Sequence, residues 1–142
     1  MRIVVDTNVF ISGLLSSSGP PGRVLDAWLS GAVELVLSEW LIDEYRKVTA
    51  YPHIVRATKR PDADLSAFGT FLPFGPMMVV PPEGSVRDPD DRNVLGAALH
   101  LGADVIVSGD KDLLVLEWFE GIPILTARQF VDHLDGLAPS TS

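Results

Sequence analysis

The stretch RIVVD, residues 2–6, decides how the chain is built. Ile3, Val4 and Val5 are three consecutive β-branched residues, closed by an acid, Asp6. A continuous apolar run, rather than an alternating one, marks a strand buried on both faces, as strands of parallel sheets are. Similar runs return as VELVL at 33–37, MMVV at 77–80, DVIVS at 104–108 and IPIL at 122–125. Each is expected to be a strand.

Between these runs the residues read as helix. A short helical stretch and the turn-rich SSSGPPG at 16–22 follow the first strand. Pro21 then opens a helix that stops near Gly31. Ser38 caps the helix EWLIDEYRKV, which breaks around Tyr51 and Pro52. Residues 53–72 are a weaker helical segment interrupted by Pro61. Asp88 caps and Pro89 starts the helix DDRNVLGAALHLG, with acids in its first turn and Gly102 at its end. Asp110 begins a helical turn, KDLLVL, and Thr126 caps a last helix, ARQFVDHL.

Alternating strands and helices define an α/β fold: one domain, three layers α/β/α, with a central parallel sheet of about five strands. The domain is expected over residues 1–134, and residues 135–142 as a flexible C-terminal tail. Apolar residues make up 46% of the 142, enough for a real core at this length. No cysteine is present, so disulfides, thiolate metal sites and a cysteine nucleophile are excluded. No secretory signal and no membrane-spanning stretch is visible, and a cytoplasmic protein is expected. Acids outnumber bases by 19 to 11, for a net charge of −8, which speaks against gripping nucleic acid by bulk charge. Arg56, Lys59 and Arg60 are the local basic cluster, expected to be a solvated helix end.

In open parallel sheets, ligands bind beyond the carboxyl ends of the strands. Asp6 ends the first strand, and Asp110 and Asp112 follow the fourth. Two helical acids fall on apolar stripes: Glu44 with Trp40, Leu41 and Val48, and Asp91 with Val94, Leu95 and Ala98. A carboxylate facing a core is unfavourable unless it is paired or holds a cation. Each acid also has an ordinary explanation. Asp6 suits a turn, Asp88, Asp90 and Asp91 suit a helix N-terminus, Asp110 and Asp112 a cap and its neighbour, and Glu44 a pair with Arg46 or Lys47. Together they make one negative cluster, and close carboxylates must take up a proton or a cation. Hard oxygen ligands suit Mg²⁺ or Mn²⁺. None of His53, His100 and His133 has the spacing of a histidine metal motif.

The segments VVDTNVFIS, LSEWLIDEYRKV, RDPDDRNVLGAAL and ADVIVSGDKDLL resemble the PIN-domain family, most closely its bacterial and archaeal branch of VapC-like toxin components of toxin–antitoxin pairs. The resemblance runs from residue 1 to about 134. It implies a central parallel sheet flanked by helices and an endoribonuclease that cleaves RNA with Mg²⁺ or Mn²⁺. By position, Asp6, Glu44, Asp91 and Asp110 are implied as the acidic quartet, with Asp112 beside the fourth. Asp6, Asp91 and Asp110 are the implied metal ligands, and Asn8 and Ser108 the small polar residues that orient the acids. SGDKD offers two aspartates, and Asp110 ranks first because it lies nearer the strand end.

Two rival functions stand beside this one. An aspartyl-phosphate enzyme would use Asp6 as nucleophile, but the phosphatase pattern wants a second Asp where Asn8 stands. A non-catalytic metal-binding interaction module would keep the fold without turnover. The expected partners are single-stranded or structured RNA and a cognate antitoxin protein. A homodimer is a further expectation, because Phe10, Trp28 and Trp40 offer apolar side chains, although Trp28 and Trp40 fit a core better.

Overall fold

A computed structural model describes residues 1–16, 18–60 and 89–137. The chain begins with β1 (Arg2–Val5), α1 (Thr7–Leu15), α2 (Pro20–Leu29), β2 (Glu34–Leu35), α3 (Glu39–Thr49) and α4 (Pro52–Ala57). After the undescribed interval come α5 (Pro89–His100), β3 (Val105–Val107), α6 (Lys111–Leu114), β4 (Trp118–Phe119), β5 (Ile122–Leu125) and α7 (Ala127–Leu137).

The strands form one sheet in the order β2-β1-β3-β5-β4. The first three pairings are parallel and β4 runs antiparallel to β5. From β1 the chain crosses to β2 on one side and later returns to β3 on the other, which makes the carboxyl ends of β1 and β3 the topological switch point. Ile3, Val4 and Val5 pair with Val105, Ile106 and Val107, and all six are buried. That is why both strands are uninterrupted apolar runs. α5 packs on β1 and β3 and against α3, while α7 packs on β5 and against α2, completing the three layers.

Local chemistry explains three of the helix ends directly. The Ser38 hydroxyl accepts from the Leu41 amide at 3.1 Å, capping α3. Thr126 and Gln129 cap α7 reciprocally: Gln129 N–H donates to the Thr126 hydroxyl at 3.1 Å, and Thr126 N–H to the Gln129 side-chain oxygen at 2.9 Å. After α5, Gly102 takes φ +65°, which lets Ala103 N–H reach back to the Ala98 carbonyl at 2.9 Å. At Gly13, a Cβ would lie 2.7 Å from the Leu25 side chain and from the Pro21 carbonyl, so only glycine lets α1 and α2 approach this closely.

Several sequence expectations change. The sheet is not wholly parallel among the described residues. One end of the strand order is β4, which has only two residues and lies between Glu117 at φ +61° and Glu120 at φ +50°. Too short to show any periodicity, it left no signal in the sequence. The expected strand at 33–37 makes ladder pairs at Glu34 and Leu35, with a single bridge at Leu37. Of the helix expected over 53–72, the described part is α4, from Pro52 to Ala57, and residues 61–72 lie outside the described residues. The strand expected at 77–80, the break at Pro61 and the Asp88 cap lie outside the described residues, as do residues 138–142. α7 continues to Leu137, and within it Asp135 pairs with Arg23 at 2.9 Å.

Arg60 is the largest departure. It is buried, not a solvated helix end, whereas Arg56 and Lys59 are exposed. Its guanidinium donates to the carbonyls of Gly13, Ser16 and Gly22 and forks onto Asp26 at 3.0–3.1 Å. The planar fork reaches carbonyls of α1, of the α1–α2 turn and of the first turn of α2 at once, a task suited to arginine. Phe10 is likewise fully buried, so it offers nothing to self-association. Trp28 and Trp40 are partly buried and pack on the core.

Candidate metal centre

Asp6 is the first residue past β1. Its backbone N–H continues the ladder to the Val107 carbonyl at 2.9 Å, and its own carbonyl accepts from Phe10 N–H at 3.0 Å as α1 begins. The strand therefore fixes the residue on one side and the helix on the other. Ser108 is the next residue past β3, one rung beyond the Val5–Val107 pair. Its hydroxyl donates to Asp6 Oδ2 at 2.8 Å and accepts from the Asp110 amide at 3.0 Å. Asp110 Oδ1 in turn accepts from the Asp112 amide at 2.8 Å, capping α6. Asp91 enters from the first turn of α5, on the stripe that buries Val94, Leu95 and Ala98.

These elements bring Asp6, Asp91 and Asp110 together. One carboxylate oxygen from each lies within 4.8 Å of the others. Asp6 and Asp91 are buried and Asp110 is half-buried. Burial pushes the Asp6 carboxyl above its ordinary range. The Ser108 hydroxyl and the amides of Asn8 and Thr7 pull it back, while the charge of Asp110 pushes it further up. Within the described residues, Oδ2 of Asp91 is buried and accepts no hydrogen bond.

This donor set fits a hard divalent cation. Three carboxylates supply only oxygen, at mutual distances that oxygen ligands of one such ion can span. A cation there would also relieve the repulsion between Asp110 and Asp6 and favour ionised Asp6.

The other expected residues sit around this triad. Glu44 is half-buried, beside the stripe of Leu41, Tyr45 and Val48 that α3 turns inward rather than on it, and it is not one of the three clustered acids. Asp112 is exposed and meets the site through its amide, so that of the two aspartates in SGDKD it is Asp110 whose carboxylate lies in the cluster. The Asn8 side chain is exposed, and its backbone amide is what bears on Asp6. Asp90 lies where side chains are outside the description.

The sequence reading overlooked Tyr45. Its hydroxyl donates to the Val5 carbonyl, directly before Asp6, and its ring stacks on Phe10 at 4.1 Å and 4°. Burial, and then the charge of Asp6, hold its phenol well above the usual range. From sequence, Tyr45 shows only as one more large residue on an apolar helix stripe.

A mostly parallel α/β sheet carrying three convergent carboxylates at its switch point defines a domain whose site could hold a divalent cation. A family model for the PIN domain matches residues 2–112, and the chain belongs to that family, whose members are generally metal-dependent nucleases. It is also 28% identical over 119 residues to an uncharacterized protein of Methanocaldococcus jannaschii, an alignment covering 82% of this chain and 75% of the archaeal one. No solved structure matches. Among the described residues, no helix is long and apolar enough to cross a membrane.

Proposed function

We propose that this PIN domain is a metal-dependent endoribonuclease that hydrolyses RNA phosphodiester bonds, and that it acts in the cytoplasm as the toxin of a toxin–antitoxin pair. The observation that carries this reading is the triad of Asp6, Asp91 and Asp110 at the carboxyl edge of the sheet. These three side chains would hold Mg²⁺ or Mn²⁺. The ion supplies charge neutralisation at the scissile phosphate and eases attack by water. It also accounts for how a chain of net charge −8 meets a polyanion.

The chain's own residues do the rest. Ser108 holds Asp6 in one orientation, and the amide of Asn8 favours its ionised form. Glu44, on the helix next to the site, orients the attacking water or helps hold a second cation. Asp112, beside Asp110, adds negative charge at the rim. Water adds to phosphorus, the bond to the ribose 3′ oxygen breaks, and that oxygen leaves as a hydroxyl, giving a 5′-phosphate.

An acidic edge of this kind complements an arginine or lysine, which supports an antitoxin that inserts a basic side chain into the site. In a homodimer, Val115 and Trp118, 75% and 62% exposed, are better placed than Phe10 to supply apolar contact.

The test is cleavage of single-stranded RNA by the purified protein with Mn²⁺ or Mg²⁺, and the loss of cleavage in folded Asp6→Asn. Full activity in that variant overturns the proposal. A melting temperature raised by Mn²⁺ without any cleavage would favour the non-catalytic module instead.

A further inference from the structure

We infer that Tyr45 is a positioning residue for the metal site, setting where β1 ends and hence where the Asp6 carboxylate stands. This rests on the metal-site reading above and adds a residue to it. Tyr45 is fully buried on α3 and touches both flanks of Asp6. Its hydroxyl donates to the carbonyl of Val5, the residue before Asp6. Its ring stacks on Phe10, whose amide donates to the Asp6 carbonyl at 3.0 Å.

A polar hydroxyl in this apolar surrounding has a specific structural consequence. Val5 lies at the strand's end, where the β1–β2 ladder has already stopped at Ile3 and Leu35. Val36 N–H bonds Ile3 rather than Val5, so β2 does not serve the Val5 carbonyl. The Tyr45 hydroxyl takes that place. A phenylalanine would fill the same space and keep the stack, but would leave a buried carbonyl without this donor. The strand end would then shift to find another, and Asp6 would shift with it. Tyr45 also follows Glu44 in sequence, so the same bond registers the Glu44 helix against the Asp6 strand.

Residues that orient metal ligands typically control affinity by about 10–100-fold, and one acting through the backbone should fall at the low end, about tenfold. The experiment is Mn²⁺ titration of the protein by electron paramagnetic resonance, without RNA. Tyr45→Phe should raise the Kd about tenfold, whereas Phe10→Leu, which breaks the stack but keeps the hydroxyl, should change it less than about twofold. Equal affinity in Tyr45→Phe and wild type overturns the inference, as does an equal loss in both variants, which would mark general loosening. Should Tyr45→Phe not fold, wild-type protein carrying 3-fluorotyrosine gives the answer. The resonance of Tyr45 should move on saturation with Mg²⁺ while that of exposed Tyr51 stays, and an unmoved Tyr45 overturns the inference. Wild type that binds no Mn²⁺ at all refutes the metal-site reading itself, a different outcome from either.

Discussion

The Ser108 hydroxyl spends its one proton on Asp6 Oδ2, at 2.8 Å, and accepts from the amide of Asp110. One buried side chain thus ties two of the three clustered acids, one from each strand at the switch point. Ser108→Ala removes both bonds and leaves the space filled. Mn²⁺ affinity should fall about 10–100-fold. Stability should fall by about 1–3 kcal/mol, from the unsatisfied groups left behind. Titration and thermal melts on the same preparation check both, and unchanged affinity would mean that the backbone alone orients Asp6.

Metal-free stability should depend on pH through Asp6, with a defined sign. Its folded-state pKa is raised above the ordinary 3.8, so the folded state holds the proton more tightly than the unfolded chain. The contribution of Asp6 is therefore fully present below pH 3.8 and is lost as pH rises through the raised folded value. At neutral pH without metal, ionised Asp6 works against folding. Asp6→Asn should then melt above wild type at pH 7, with the gap closing toward acid pH. Mn²⁺ should reverse the order. At a concentration about 100 times Kd it stabilises wild type by about 2.7 kcal/mol and should leave Asp6→Asn unmoved. A metal-free Asp6→Asn melting below wild type at pH 7 would contradict this account.

What sequence reveals of this protein divides along physical lines. The strands at residues 2–6 and 104–108 are legible because strands buried on both faces must be apolar throughout, and the acids that follow them are legible because the chain leaves the sheet there. Asp91 is legible because a carboxylate on an otherwise apolar stripe is conspicuous. β4 is not legible, because two residues carry no period and its pairing depends on a tight turn in which Glu120, like Gly121, takes a positive φ. Tyr45 and Arg60 escape for another reason. Each satisfies backbone carbonyls, of Val5 for one and of Gly13, Ser16 and Gly22 for the other, and no residue type in the sequence announces a carbonyl in need of a donor.

Arg60 should be a stability residue with a measurable coupling to Gly22. Replacing it with methionine keeps the bulk but strips donors from three carbonyls and a partner from Asp26. A loss of about 3 kcal/mol is expected, carried mainly by the carbonyls, since the Asp26 side chain is largely exposed. Gly22→Ala places a Cβ 2.8 Å from Arg60 Nη2 and 3.0 Å from the Ser16 carbonyl, at about 1–3 kcal/mol. Because part of that clash is with Arg60 itself, the double variant should lose less than the sum of the singles. Denaturant melts of the four proteins measure the coupling, and strict additivity would show that the guanidinium yields freely.

Asp110 and Asp112 give the sharpest separation between a charge at the site and a charge near it. Asp110 has two roles, since its carboxylate lies within the triad and also caps α6 by accepting from the Asp112 amide. Asn retains the capping oxygen while removing the negative charge, because asparagine and aspartate are comparable N-caps. Asp110→Asn should therefore melt close to wild type without metal, yet lose most Mn²⁺ binding and RNA cleavage. The exposed Asp112 carboxylate lies outside the triad, and Asp112→Asn leaves its amide on Asp110 untouched. It should retain Mn²⁺ affinity and lose only the part of activity that depends on rim charge, a loss that added salt would shrink by screening. Cleavage assays at two ionic strengths, with Mn²⁺ titrations alongside, distinguish the two. Equal loss of metal binding in both variants would mean that Asp112 swings into the site when the ion binds.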